Sequence, residues 1–116
     1  MFLAAPTSSP DRLRRIAQLS SGFIYYVSLL GTTGVRAALS DEWMHGVKRL
    51  RTMTSKPVCV GFGISTPQHA ARVAREADGV IIGSAVVRTI ESAATLSTRA
   101  LVQRMTTWLR PFRKVV

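Results

Sequence analysis

The chain has 116 residues, 47% of them hydrophobic, which allows one domain or part of a larger one and excludes two independent domains. Its 16 lysines and arginines against six acidic residues give a net charge of +10, and 13 of those bases are arginines. This charge favours an anionic partner, although a solvated surface would account for scattered arginines equally well. Cys59 is the single cysteine, so an intramolecular disulfide and a thiolate zinc site are excluded, and a cytoplasmic location is expected.

Secretion and membrane signals are not expected in this sequence. The first apolar segment stops at Pro6 and no basic residues precede it, unlike the start of a secretory signal. The longest uncharged run covers residues 16–35, but its apolar centre spans only residues 23–30, which are too few to cross a bilayer. We therefore expect no membrane partner and predict a buried strand within that run.

The chain alternates four predicted strands with helices. The strands are short apolar runs rich in β-branched residues, which is typical of strands covered on both faces. In chain order we predict a strand at 2–5, a helix at about 10–20, a strand at 23–27 and a glycine-rich loop at 31–34. A helix capped by Ser40 and ended by Lys56-Pro57 follows, then a strand at 58–62, a helix at about 67–77 and a strand at 80–82. The chain continues with a short helix ending at about Glu91 and a final helix at about 97–109, before a basic tail.

Capping residues and apolar spacing define the predicted helices. Ser9 before Pro10 is typical of a helix start, and Gly22 is expected to stop that first helix. Apolar residues that recur three and four positions apart form a stripe that faces the core. Two such stripes are predicted: Trp43, Val47 and Leu50 in the second helix, and Leu101, Met105, Trp108 and Leu109 in the final one.

This order of elements predicts an α/β fold with a parallel sheet, because strands separated by helices pair through right-handed crossovers. Four βα units with glycine-rich strand exits, and a short helix before the last full one, indicate a C-terminal half of a (β/α)₈ barrel of the TIM-barrel type plus a final extra helix. The strands at 58–62 and 80–82 then take the seventh and eighth places, where such barrels bind phosphate. We assign residues 1–93 to the half-barrel and 94–116 to the C-terminal helix and basic tail.

The sharpest motif is the segment 61–67 (GFGISTP) followed by 83–85 (GSA). Glycines let backbone N–H groups approach phosphate oxygens, and Ser84 adds a hydroxyl where the short helix begins. The alternative is that these glycines only permit tight turns. A dinucleotide site is disfavoured because a third glycine is absent, and Ser84 lacks the sequence context of a nucleophile. Strand exits carry no paired carboxylates, so neither a catalytic pair nor a metal site is predicted.

Five segments carry a resemblance to a known family: 2–8 (FLAAPTS), 21–28 (SGFIYYVS), 31–34 (GTTG), 57–67 (PVCVGFGISTP) and 77–87 (ADGVIIGSAVV). In this order they resemble the C-terminal half of the tryptophan synthase alpha chain and cover residues 2 to about 92. The resemblance implies a barrel that cleaves indole-3-glycerol phosphate to indole and glyceraldehyde 3-phosphate in tryptophan biosynthesis. It also implies no cofactor in this chain, because PLP belongs to the beta chain that receives the indole.

The resemblance also implies roles for individual residues. Tyr25 matches a residue beside the indole ring, and Thr33 lies in the loop that closes over the substrate. The family's catalytic Glu and Asp lie in the N-terminal half, which is not present in these residues, so the isolated chain is expected to be an inactive part of a lyase. Residues matching the phosphate grip are Gly34, Phe62, Gly63, Gly83 and Ser84.

The expected partners follow from the same resemblance. They are the beta chain, and either a complementing N-terminal half or a second copy in a homodimer. The alternative function is a non-catalytic basic half-barrel that binds nucleic acid or another anionic partner. Nucleic acid is disfavoured because the bases are dispersed and few aromatic residues lie between them.

Overall fold

The fold is a parallel four-stranded sheet in which each strand pairs with its neighbours in the sequence. The computed structural model describes residues 1–28, 42–61 and 63–116. The strand order is β1-β2-β3-β4 and every pair is parallel, which confirms the predicted α/β class. The elements are β1 (Leu3–Ala4), α1 (Pro10–Leu19), β2 (Ile24–Val27), α2 (Glu42–Arg51), β3 (Val58–Gly61), α3 (Pro67–Ala74), β4 (Gly79–Ile81), α4 (Ser84–Glu91) and α5 (Thr98–Arg113).

Side-chain caps fix the starts of three helices. The Ser9 hydroxyl accepts from the backbone N–H of Arg12, as the sequence predicted for α1. Thr66 caps α3 and Ser97 caps α5 in the same way. Each cap satisfies one of the N–H groups that a first helical turn leaves without a partner. Ser40, the predicted cap of α2, lies outside the described residues.

The predicted ends of α2 and α3 are wrong by several residues. Helix α2 ends at Arg51 rather than near Lys56, because the Thr52 hydroxyl donates to the Arg49 carbonyl and closes the last turn. Lys56 instead donates from Nζ to the Ala17 carbonyl at the end of α1, at 2.7 Å. Helix α3 ends at Ala74 rather than residue 77, since the following residues turn toward β4.

Helix α5 continues past its predicted end at Leu109 to Arg113, so much of the expected basic tail is helical. Pro111 lies inside this last turn and removes one backbone donor. The helix continues there because Phe112 is only 4% exposed and its ring packs against Trp108, with centroids 4.7 Å apart. Leu109, expected in the buried stripe, is 41% exposed, and Phe112 occupies the core in its place.

One face of the sheet carries the core. Alternate strand residues pack against apolar residues of α1, α2, α3 and α5. Because strand side chains alternate between faces, each strand contributes every second residue. The core side chains of the sheet are Ala4, Ile24, Tyr26, Val58 and Val60, each at most 1% exposed, and the predicted Trp43, Val47 and Leu50 stripe of α2 packs on them.

The opposite face, here called the open face, comprises Leu3, Tyr25, Val27, Cys59 and Ile81. The register places Leu3, Tyr25 and Cys59 in one row across the sheet. These side chains are half-buried, except Leu3, which is 57% exposed. Parallel sheets are ordinarily covered on both faces. The open face is therefore the side that would line the interior of a closed barrel.

Helix α2 packs closely on the sheet through Gly46. A Cβ at this position would collide with the ring and hydroxyl of Tyr26, which is 1% exposed. Glycine in a helix interior costs about 1 kcal/mol relative to alanine. The close packing of the Tyr26 ring on the helix backbone explains why glycine occupies this position.

Candidate functional site

The loops of the glycine motif leave the sheet side by side. Gly61 at the end of β3 pairs with Ile81 at the end of β4. Gly63 and Gly83 each lie two residues beyond that pair, and both are exposed. The parallel sheet thus brings the 61–67 and 83–85 segments to one edge, at the carboxyl ends of the strands, where α/β folds place their sites.

The N-terminus of α4 opens at this edge without a cap. Its N-cap residue is Gly83, and no side chain among the described residues bonds to the first-turn N–H groups, whereas serine or threonine caps α1, α3 and α5. The amides of Val86 and Val87 both donate to the Gly83 carbonyl. The N–H groups of Ser84 and Ala85 have no acceptor among the described residues, and the helix dipole favours an anion in front of them.

Gly63 and Gly83 at this edge differ in the structural reason for having no side chain. Gly63 has φ +74°, a left-handed conformation that side-chain-bearing residues rarely adopt. Gly83 has φ −109°, and a Cβ built there would meet no atom within 4 Å. Packing within the described chain therefore requires no glycine at position 83, and the space in front of α4 is open to a ligand.

Tyr25 extends along the open face toward the same edge. Its hydroxyl lies against the Cα of Gly61, where a Cβ would collide with the phenol and would also lie 2.9 Å from the Ile81 Cβ. The absence of a side chain at Gly61 creates the space that the Tyr25 ring occupies. The structure thereby places Tyr25 next to the strand end from which the Gly63 loop departs.

Ser28, which was not predicted as a site residue, links β2 to β3 beside this edge. Its backbone N–H and its hydroxyl both donate to the Gly61 carbonyl, each at 3.0 Å, and the residue is 0% exposed. These bonds hold the ends of two strands in register where Tyr25 and Gly61 meet. A serine directly after a run of apolar strand residues was the signal available in the sequence.

Cys59 lies on the open face but lacks the properties of a reactive nucleophile. Its Sγ would lie 2.7 Å from a Cβ at Gly79, so the side chain fills the space above that glycine. Burial, and secondarily the negative charge of Asp78, raise the pKa of the Cys59 thiol above its ordinary value. The thiol therefore stays protonated near neutral pH, and a reactive cysteine needs the opposite shift.

Three acidic side chains are bound in ion pairs. Asp11 pairs with Arg14 on α1, Glu76 with Lys48, and Asp78 with Arg51. Glu76 and Asp78 precede β4 and so belong to the amino end of the sheet. Within residues 1–28, 42–61 and 63–116, no group of three potential metal ligands occurs and no helix is long and apolar enough to cross a membrane. Three of the predicted binding residues, Thr33, Gly34 and Phe62, lie outside the described residues.

Sequence comparisons with a family model and with curated proteins all point to the same family. The sequence model of the tryptophan synthase alpha chain matches residues 1–116. The alpha chain of Rhodopirellula baltica is 52% identical over 91 residues, covering 78% of this chain and 33% of the relative. The alpha chain of Geotalea daltonii is 48% identical over 91 residues, with 78% and 34% covered. The chain thus spans about a third of the length of the curated relatives it matches.

Solved structures show the same relation. The alpha chain of Legionella pneumophila superposes with a TM-score of 0.75 at 33% identity, covering 99% of this chain and 41% of that one. A structure from Pyrococcus furiosus, described as a tryptophan synthase a2b2 complex, superposes with a TM-score of 0.79 at 31% identity, covering 98% and 45%. The four parallel strands and five helices thus match part of the barrel in these relatives.

Proposed function

Because the chain belongs to the tryptophan synthase alpha chain family, we propose that it forms the C-terminal half of a lyase barrel and supplies its substrate-binding edge. The reaction of the whole barrel is the aldol cleavage of indole-3-glycerol phosphate to indole and glyceraldehyde 3-phosphate. The role of this half is to bind and orient the substrate rather than to move its protons.

The observation that carries the proposal is the uncapped N-terminus of α4 at the end of β4. In the proposed complex the phosphate lies in front of the Ser84 and Ala85 amides, with the Ser84 hydroxyl as a further donor. The open space at Gly83 lets an oxygen approach the backbone closely. Gly63, Gly34 and Phe62 complete the grip in this proposal.

Tyr25 is proposed to contact the indole ring. The half-buried phenol on the open face offers an aromatic surface for another planar ring, next to the edge where the phosphate binds. Thr33 would belong to a loop that closes over the bound substrate. Holding the phosphate and the ring at two points fixes the bond to be broken relative to the groups that cleave it.

The cleavage itself needs an acid and a base, and Glu76 and Asp78 lie at the amino end of the sheet, where each pairs with a basic side chain. We therefore assign these groups to the other half of the barrel and expect no lyase activity from residues 1–116 alone. Each missing acid or base removes about 10²–10⁴ in rate. The proposed partner for the released indole is a beta chain, where the PLP chemistry takes place.

Binding of inorganic phosphate to the full chain tests the grip. We expect measurable binding in calorimetry, which Ser84→Asp abolishes because a carboxylate at the helix N-terminus repels the anion and occupies its place. Arg113→Ala removes a positive charge from the end of α5 and serves as the control, with binding close to that of the unchanged chain. Equal losses in both variants would mean that diffuse positive charge binds the phosphate, and the proposed grip would be wrong.

A further inference from the structure

A second concave surface lies between α4 and α5, next to the proposed phosphate grip. This α4–α5 groove has a volume of about 790 Å³, and its lining includes Arg88, Thr89, Ser92, Gln103, Arg104 and Trp108. Small-molecule sites span roughly 300–1,000 Å³. Gly63, Gly83 and Ser84 do not line the groove, whereas Ala85, whose amide is a proposed phosphate donor, lies at its lining.

The charge of the groove is positive and uncompensated. Arg88 and Arg104 both line it, the lining contains no carboxylate, and neither guanidinium has an ion-pair partner in the described part of the chain. This differs from Arg14 and Arg51, which each bind an aspartate. Two unpaired guanidinium groups on one concave surface offer forked donors suited to a carboxylate or phosphate.

One of these arginines is also held in place. Arg104 Nη2 donates to the Ser92 hydroxyl at 3.2 Å, which links α5 to the residue that follows α4. The bond restrains the guanidinium at the groove lining, and it uses one of the five N–H donors of the group. A donor that is already oriented loses less conformational freedom when an anion binds.

The groove offers an aromatic wall next to these charges. Trp108 is half-buried, and its ring packs against Phe112, with centroids 4.7 Å apart. Ala85 and Ala100 also line the groove, and their short side chains leave room for a flat group beside the indole. Thr89 and Gln103 add polar contacts at the lining. A planar ring and an anionic group could therefore be bound together.

From these features we propose that the α4–α5 groove binds an organic anion that carries a planar ring. The ring packs beside Trp108, and the anionic group is held by Arg88 and Arg104. Ser65 and Ala85 of the glycine motif line the groove, but the side chains proposed to bind this ligand, Arg88, Arg104 and Trp108, belong neither to the motif nor to the open face, so the proposal does not rest on the proposed lyase function.

Calorimetry with the full chain tests this site, with 2-naphthoate as the probe and 2-naphthamide as its neutral counterpart. We expect the acid to bind about tenfold more tightly than the amide, and Arg88→Gln or Arg104→Gln to weaken its binding by a similar factor. Arg99→Gln is the matched control, since Arg99 lies on the same helix but outside the groove lining, and we expect a change of at most about twofold.

Nuclear magnetic resonance locates the probe. The indole N–H signal of Trp108 should shift during the titration, whereas that of Trp43, which is 1% exposed, should not. Circular dichroism of each variant confirms that it is folded. The Arg88 side chain makes no hydrogen bond to another described residue, so Arg88→Gln carries the test if Arg104→Gln unfolds the chain. Equal affinity for acid and amide, an equal loss with Arg99→Gln, or an unchanged Trp108 signal would overturn the proposal.

Discussion

Asp78 joins three elements although it belongs to none of them. Its Oδ2 accepts from the Val58 backbone N–H at 2.9 Å, its own N–H donates to the Val58 carbonyl, and its Oδ1 accepts from Arg51 Nη2 at 2.7 Å. The carboxylate thus fixes the start of β3 and the end of α2 to the turn before β4. Val58 is fully buried, so removal of the carboxylate would leave its N–H without an acceptor from the protein.

Removing this carboxylate should therefore destabilise the fold. We expect Asp78→Ala to lower the free energy of unfolding by about 1–3 kcal/mol, chiefly because a buried N–H loses its partner. The Arg51 pair contributes less, since both side chains are partly exposed. Urea unfolding measures the loss. Asp11→Ala removes an exposed pair within α1 and serves as the control, and an equal effect of both substitutions would contradict this assignment.

For individual residues, the sequence predicts which residue types could form a site better than it predicts which contacts each residue makes. The glycines and Ser84 of the motif were predicted from the sequence because phosphate binding favours that combination near a helix start, and the structure brings the two glycine segments to one edge of the sheet. Asp78 looked like an ordinary turn residue before Gly79, because its two partners are 20 and 27 positions away in the sequence. Ser28 was missed for the same reason, since its acceptor is the Gly61 carbonyl on another strand.

The strands and helices meet closely at glycines, and substitution separates packing from binding. Gly61→Ala should destabilise the sheet and displace Tyr25, because the new Cβ meets the phenol and the Ile81 side chain. Gly83→Ala should leave the thermal midpoint nearly unchanged, since no described atom lies within 4 Å, but it should weaken phosphate binding by crowding the approach to α4. Thermal melts and phosphate calorimetry on both variants check this. Equal destabilisation by the two would contradict the difference in packing.

The sequence predicts which strands and helices exist, and their order, more accurately than it predicts the residues at which they end. All four strands and all five helices appear where the apolar runs and caps indicated, within a few residues. The errors arise where tertiary contacts decide, as at Lys56, which binds the end of α1, and at Phe112, whose burial extends α5 through Pro111. Lys56 binds a carbonyl 39 positions away, and Phe112 joins a core built from other elements, so neither outcome could be predicted from the neighbouring sequence.

For the whole molecule, the α/β order predicted the parallel sheet, and the structure adds which surfaces remain uncovered. No described strand pairs with the outer edge of β1 or β4. Phe2, Leu3 and Leu19 near the β1 edge are 46%, 57% and 62% exposed. Unpaired strand edges and exposed apolar patches favour association with other chains.

We therefore expect the pure chain not to remain a stable monomer. Burial of apolar surface stabilises association by about 25 cal/mol per Å². The net charge of +10 opposes it between identical copies, so association should increase with salt as repulsion is screened. Sedimentation velocity at low and high salt measures this. A monodisperse monomer with cooperative unfolding at both salt concentrations would show that the sheet needs no further cover.

Complementation tests the half-barrel assignment most directly. Residues 1–116 are mixed with the separately produced N-terminal half of the Rhodopirellula baltica alpha chain, whose matched region is 52% identical to this chain, and indole release from indole-3-glycerol phosphate is followed. We predict indole from the mixture, none from either half alone, and a large loss when the mixture contains Ser84→Asp. Indole released by residues 1–116 alone, or none from mixtures with N-terminal halves of several relatives, would contradict the assignment.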